Sequence, residues 1–232
     1  SRKLVEASRT RKPADIISES VAKVLYGEVS PYSATRLERY SACAFAHFLQ
    51  YGLKLTERAE YEFRAMDMGN IMHKVLESLI KEVNKEKLSL AELSEEERDA
   101  LADRLVDEIS ADYGNTILKS SARNEYMIQR TKRMVRRTVW AIQKQLKSGE
   151  FEPEGVEVVF QGGRIYRVDT METDDGKLYV RVIDYKTGNT SFDLVSLYHG
   201  LQLQLMIYMD GALTVEQNKH KDKDVIPAGV FY

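Results

Sequence analysis

The chain has 232 residues, 43% hydrophobic and 30% charged, with 34 basic against 36 acidic side chains. That balance excludes binding to nucleic acid by bulk charge, so any such contact needs a local basic patch. With 13 glycines and 4 prolines extended disorder is excluded; no apolar run approaches the roughly 20 residues of a membrane span; and a single cysteine, Cys43, excludes an internal disulfide and fits a reducing compartment.

Residues 1 to 30 are charged and weakly patterned, with a short helix expected from Ala14 to Leu25. Ser33 has the chemistry of an N-cap, and a helix is expected from Ala34 to Tyr51, closed by Gly52. Cys43 lies inside it, beside apolar residues, where a lone cysteine reads as a small core residue. From Met66 to Val83 the apolar residues Met68, Met72, Val75, Leu76, Leu79 and Val83 recur at helical spacing and form one stripe. His73 sits beside that stripe, either as a hydrogen-bonded core residue with Glu77 as its partner or as a ligand.

Leu90 to Asp112 reads as a charged amphipathic helix, with Ser94 and Glu97 as a capping box. Arg123 to Lys147 reads as a longer helix, basic at its start, with Met127, Met134, Val135 and Trp140 on a buried side. Its outward arginines Arg130, Arg133 and Arg137 are either a solvated face or contacts for nucleic-acid phosphates.

After Gly149 the period changes from helical to alternating. Strands are expected at Glu157–Phe160, Arg164–Thr170 and Leu178–Lys186, with Asp174-Asp175-Gly176 as the hairpin turn between the last two. A helix from Leu194 to Leu213 and a strand from Ile226 follow. The order predicts an α/β core preceded by a helical lobe. On the third strand, Val180, Val182, Asp184 and Lys186 share one face. A carboxylate and an ammonium so placed are either a solvated ion pair at a strand end or the acid and lysine of a metal-dependent phosphodiesterase. There is no nucleotide-binding loop, so an ATP motor is expected elsewhere.

Taken together, these segments resemble the RecB-like branch of the PD-(D/E)xK nuclease superfamily, and within it the nuclease domains of AddB-type helicase–nuclease subunits. The resemblance rests on S-A-T-R-L-E-R-Y-S-A-C-A-F-A-H-F (Ser33–Phe48), M-G-N-I-M-H (Met68–His73) and R-R-T-V-W (Arg136–Trp140). It continues in G-R-I-Y-R-V-D (Gly163–Asp169), V-I-D-Y-K-T-G (Val182–Gly188) and G-L-Q-L-Q-L-M-I-Y (Gly200–Tyr208). It implies a restriction-endonuclease-like core, a mixed sheet flanked by helices, over residues 31–232, with the helical part at 31–148, the sheet part at 150–232 and a truncated C-terminus. It further implies a cytoplasmic bacterial exonuclease for DNA, acting in double-strand-break repair and recombination with an AddA-like partner and Mg2+ or Mn2+.

Residue by residue, the resemblance assigns metal binding to His73 and Asp184, catalysis to Lys186, and the helix motif beside the site to Gln204 and Tyr208. Cys43 matches the first of four cysteines that bind a [4Fe-4S] cluster; one cysteine does not hold such a cluster, so none is expected on this chain. The family pattern has an aspartate ligand where this chain has Tyr166, and a proline where it has Ala44. A phenol is a poor ligand for magnesium. Metal binding then falls to His73, Asp184 and Glu157, with impaired cleavage as the alternative expectation, and Asp169 is expected to be structural.

Overall fold

The computed structural model describes residues 18–27, 33–56, 65–86, 88–112, 122–161, 163–186, 188 and 190–232. Helix α1 is Glu19–Tyr26, capped by the Ser18 hydroxyl; the expected start at Ala14 lies outside the described residues. The Ser33 hydroxyl caps α2, Ala34–Ala42, by accepting the Arg36 N–H at 3.3 Å. The single helix expected through Tyr51 is interrupted. At Cys43 the backbone turns extended, and a short α3, Ala44–His47, runs into a π-type turn over Phe48–Gly52.

Three long helices follow: α4 at Ala65–Lys85, α5 at Glu95–Asp112 and α6 at Ala122–Ser148. The stripe from Met68 to Val83 is buried throughout. Val75, Leu76 and Leu79 of α4 meet Leu105 and Val106 of α5 and Val135, Val139 and Ile142 of α6. Each such side chain contributes about 1.5–3 kcal/mol by leaving water. The capping box at the start of α5 is present: the Ser94 N–H donates to Glu97 at 3.0 Å and the Glu97 N–H to Ser94 at 3.2 Å. Trp140 departs from expectation. It is 46% exposed, and the buried face of α6 is instead Thr131, Val135, Val139, Ile142 and Gln143.

The sheet contains β1 (Glu152–Phe160), β2 (Gly163–Glu172), β3 (Lys177–Ile183) and β4 (Asp224–Phe231), in that spatial order. The first three form an antiparallel meander, and β4 runs parallel to β3. Parallel pairing needs a crossover. Here it is α7 (Leu194–Tyr198) and α8 (Gln204–Lys219), rather than the one helix that periodicity predicts. Val180 and Val182 of β3 pack with Tyr208, Met209 and Ala212 of α8. Arg181 and Ile183 alternate with them and face a cleft beside α6. The sheet is thus held between α8 and the helical lobe. Among the described residues no helix is long and apolar enough to cross a membrane.

Candidate active site

Ile183 is the last residue of β3, but pairing does not stop there: the Asp184 N–H donates to the Phe231 carbonyl at 3.0 Å. Alternation therefore persists, and Lys186 returns to the side of Asp184, its Nζ 2.6 Å from Oδ2. Asp184 is fully buried. Asp184 Oδ1 has no hydrogen-bond partner among the described residues, and the Lys186 ammonium is the charged partner of Oδ2. Burial raises the Asp184 pKa, and Lys186 opposes that rise.

The break between α7 and α8 decides where the helix motif lies. The chain turns at Gly200, in the left-handed region at φ 72°, where a Cβ would come within 2.7 Å of the Ser41 hydroxyl on α2. Helix α8 has no local side-chain cap. Its cap arrives from α2 instead: Glu38 Oε1 accepts the N–H groups of Leu203 at 2.7 Å and Gln204 at 3.0 Å. Gln204 is so fixed in the first turn. Its Oε1 accepts from Lys186 Nζ at 2.7 Å, and its Nε2 donates to the Tyr208 hydroxyl at 2.9 Å. Asp184, Lys186, Gln204 and Tyr208 form one continuous chain. Burial, the largest cause, pushes the Tyr208 pKa up to about 12, so its phenol stays protonated.

Sequence reasoning missed Glu38. No spacing connects it to a residue 165 positions away; the one available signal was an acid inside Ser33–Phe48. Its charge also raises the pKa values of Asp184 and Tyr208. Removing the cap in Glu38→Ala should cost about 1 kcal/mol in urea unfolding. Glu38→Gln, which keeps an accepting oxygen, should lose less.

His73 on α4 comes to the same neighbourhood through Tyr166. The phenol ring stacks on the imidazole at 3.7 Å between centroids and 19° between planes. Tyr166 also feels Asp184: burial first, then that carboxylate, raises its pKa. No water-sized void remains around His73, Glu77, Tyr166 and Tyr185. Glu77 pairs with Lys81 rather than His73, whose buried Nδ1 has no hydrogen-bond partner among the described residues. Burial chiefly, and Lys186 next, lower the His73 pKa from 6.5 to about 4.

The sign of the resulting pH effect is definite. The folded state holds His73 neutral while the unfolded state protonates near 6.5, so this contribution is present above pH 6.5 and lost as pH falls toward 4. Urea midpoints of the wild type should decline more steeply across that window than those of His73→Asn.

Other anticipated residues lie as follows. Glu157 falls across from Tyr166 in the β1–β2 register, at φ 54°, and binds Arg164 at 2.8 Å. Asp169 is structural: buried, it accepts from Arg167 at 2.5 and 2.7 Å and from Arg181 at 2.5 Å. On α6, Lys132 and Arg136 turn to Asp107 and Asp103 of α5, while Arg130, Arg133 and Arg137 stay exposed. Arg133 lies over the exposed ring of Tyr126. Arg137 lines a cleft of about 540 Å³ with Tyr185 and Tyr232, and Tyr232 faces Lys186 at 5.6 Å. Cys43 is exposed at the α2–α3 junction rather than the small core residue expected, because the backbone turns extended there and ends α2. One thiolate supplies one of the four ligands a [4Fe-4S] cluster needs, so the residues present do not fit that group.

A divalent cation is different. A buried carboxylate whose Oδ1 has no hydrogen-bond partner among the described residues is a ready ligand for a hard cation, which completes its shell with water and phosphate oxygens. Asp184 fits that role. His73 offers a nitrogen, but its Nδ1 is buried and no water-sized space remains beside it.

A meander of three strands, a helical crossover to a parallel fourth, and an acid–lysine pair at the end of the third define a nuclease-type core. The chain belongs to the PD-(D/E)XK nuclease superfamily, which matches it over residues 31–232. Among curated proteins it is 46% identical to the B subunit of the ATP-dependent helicase/deoxyribonuclease of Lachnoclostridium phytofermentans, over 93% of this chain and 19% of that one. The proteins of the same name from Caldanaerobacter subterraneus subsp. tengcongensis and Alkaliphilus metalliredigens are 40% and 36% identical, over 90% and 93% of this chain. The chain spans about one fifth of the length of these relatives.

Proposed function

We propose that this chain is the metal-dependent DNA exonuclease domain of a bacterial helicase–nuclease working with an AddA-like partner in double-strand-break repair and recombination. The observation that carries the reading is Lys186, held between Asp184 Oδ2 at 2.6 Å and Gln204 Oε1 at 2.7 Å. Mg2+ or Mn2+ would be held by Asp184, and when bound it would polarise the phosphate and lower the pKa of water. Lys186 keeps its ammonium beside the site, where it screens the charge that builds on phosphate and orients the attacking water. Gln204, braced by Tyr208, fixes the lysine's direction. Arg130, Arg133 and Arg137, with the exposed rings of Tyr126 and Trp140, offer phosphates and bases a track along α6. Arg137 lines the same cleft as Tyr232, whose ring faces Lys186 at 5.6 Å.

A second reading has its own support: the Tyr166 ring stacked on His73 favours a cleavage-impaired module that binds DNA or braces the helicase partner. The test is Mg2+-dependent release of nucleotides from single-stranded DNA. Lys186→Ala should reduce it by about 100-fold or more, the loss typical of a group acting on transition-state charge. DNA binding that weakens steeply with salt, with no cleavage by either protein, selects the second reading.

A further inference from the structure

Beyond the nuclease site, the far end of α8 carries an arrangement that the proposed reaction does not use. Glu216 is fully buried. Its Oε1 takes the Lys219 ammonium at 2.8 Å, while its Oε2, equally buried, has no hydrogen-bond partner among the described residues. His220, the residue that closes α8, places Nε2 3.6 Å from that Oε2. The third member is Glu154 on β1. The register passes from Pro153 opposite Asp169 to Gly155 opposite Val168, which leaves Glu154 as the extra residue of a bulge. Bulges re-aim a side chain out of the ladder, and here the carboxylate turns toward the end of α8. Ligand atoms of Glu154, Glu216 and His220 all lie within 4.8 Å of one another.

We propose that these three residues bind one divalent cation of the zinc class, which clamps the C-terminus of α8 to the bulged edge strand. The 3.6 Å between Oε2 and Nε2 is too long for a hydrogen bond. It is near the ~3.4 Å that separates two donors sharing a tetrahedral ion at ~2.0–2.1 Å each. An imidazole with two carboxylates selects zinc-class metals over magnesium or calcium, which take oxygen alone. The α8 C-terminus is the negative end of the helix dipole and favours a cation. His220 is held in place for this: its carbonyl accepts from Gln217 Nε2 at 3.3 Å and from the Lys223 N–H at 3.2 Å. Glu154 and His220 are partly exposed, which gives the ion an entry path and a water as fourth ligand. Lys219, 3.5 Å from Glu154 and 2.8 Å from Glu216, is the built-in competitor for the same acids. The nuclease site lies about 18 Å away along the helix, about twelve residues at roughly 1.5 Å each.

The experiment is calorimetric titration of Zn2+ into the metal-free chain, with thermal unfolding alongside. One equivalent should bind and raise the melting temperature, and an Asp184→Ala chain should keep that equivalent. His220→Ala and Glu154→Ala alter partly exposed positions and should each weaken it by at least about 10-fold. Lys219→Met should tighten it, because the competing ammonium is gone. An equivalent that survives both His220→Ala and Glu154→Ala, or that disappears in Asp184→Ala, overturns the proposal. So does a wild-type chain that takes up no Zn2+.

Discussion

Tyr166→Asp should raise Mg2+-dependent nucleotide release from single-stranded DNA by about 100-fold, equivalent to roughly 2.7 kcal/mol of transition-state stabilisation. In the wild type the ring lies on His73 and close enough to Asp184 for that carboxylate to raise the phenol's pKa. An aspartate there uncovers the imidazole and adds a second anionic oxygen beside Asp184. A hard cation gains most from such a pair. Without metal, the two acids raise each other's pKa, so Mg2+ affinity of the variant should climb as pH rises through the carboxylate range. Tyr166→Ala separates the two effects: it uncovers His73 without supplying a carboxylate and should restore little. If the aspartate variant binds Mg2+ no better than its parent and cuts no faster, position 166 is not a metal position.

The second large effect concerns stability rather than chemistry. Asp169→Ala should destabilise the chain by about 3–5 kcal/mol in urea unfolding, because it strands a buried charge. Arg167 is fully buried and its two bonds to Asp169 are lost, leaving the Tyr185 hydroxyl at 3.0 Å as its remaining partner among the described residues. Arg181 suffers less: it is partly exposed and rests against the Phe151 ring at 4.5 Å. The pair is not itself a large source of stability, since burying both ions costs nearly what their attraction returns. Arg167→Met with Asp169→Leu should therefore recover most of the loss. A double variant as unstable as Asp169→Ala would show that the ion pair specifies the packing of the sheet.

Much of this architecture was legible locally. The Met68–Val83 stripe, the Ser33 cap, the Ser94–Glu97 box and the Asp174-Asp175-Gly176 turn each depend on residues within about two helical turns, which is the range over which periodicity and capping operate. The ion pair of Asp184 and Lys186 follows from strand alternation in the same way. Expectations failed where the backbone answers to a distant neighbour. The helix drawn through Cys43 breaks there, and the one drawn from Leu194 to Leu213 splits at Gly200, against Ser41 of α2. Trp140 matched the apolar spacing of α6 yet faces outward, because α4 and α5 cover the other side of that helix.

From the residues alone came the order of elements and the acid and lysine on one face of a strand; the resemblance to the nuclease family added the phenol in place of an expected carboxylate. Only the tertiary structure decided that Glu38 caps α8 and so aims Gln204 at Lys186, that the phenol stacks on His73, and that a bulge turns Glu154 toward Glu216 and His220. Each of those contacts joins segments far apart in the chain. Their energies come from helix ends and buried charges meeting across the fold, and no short-range pattern encodes where those meet.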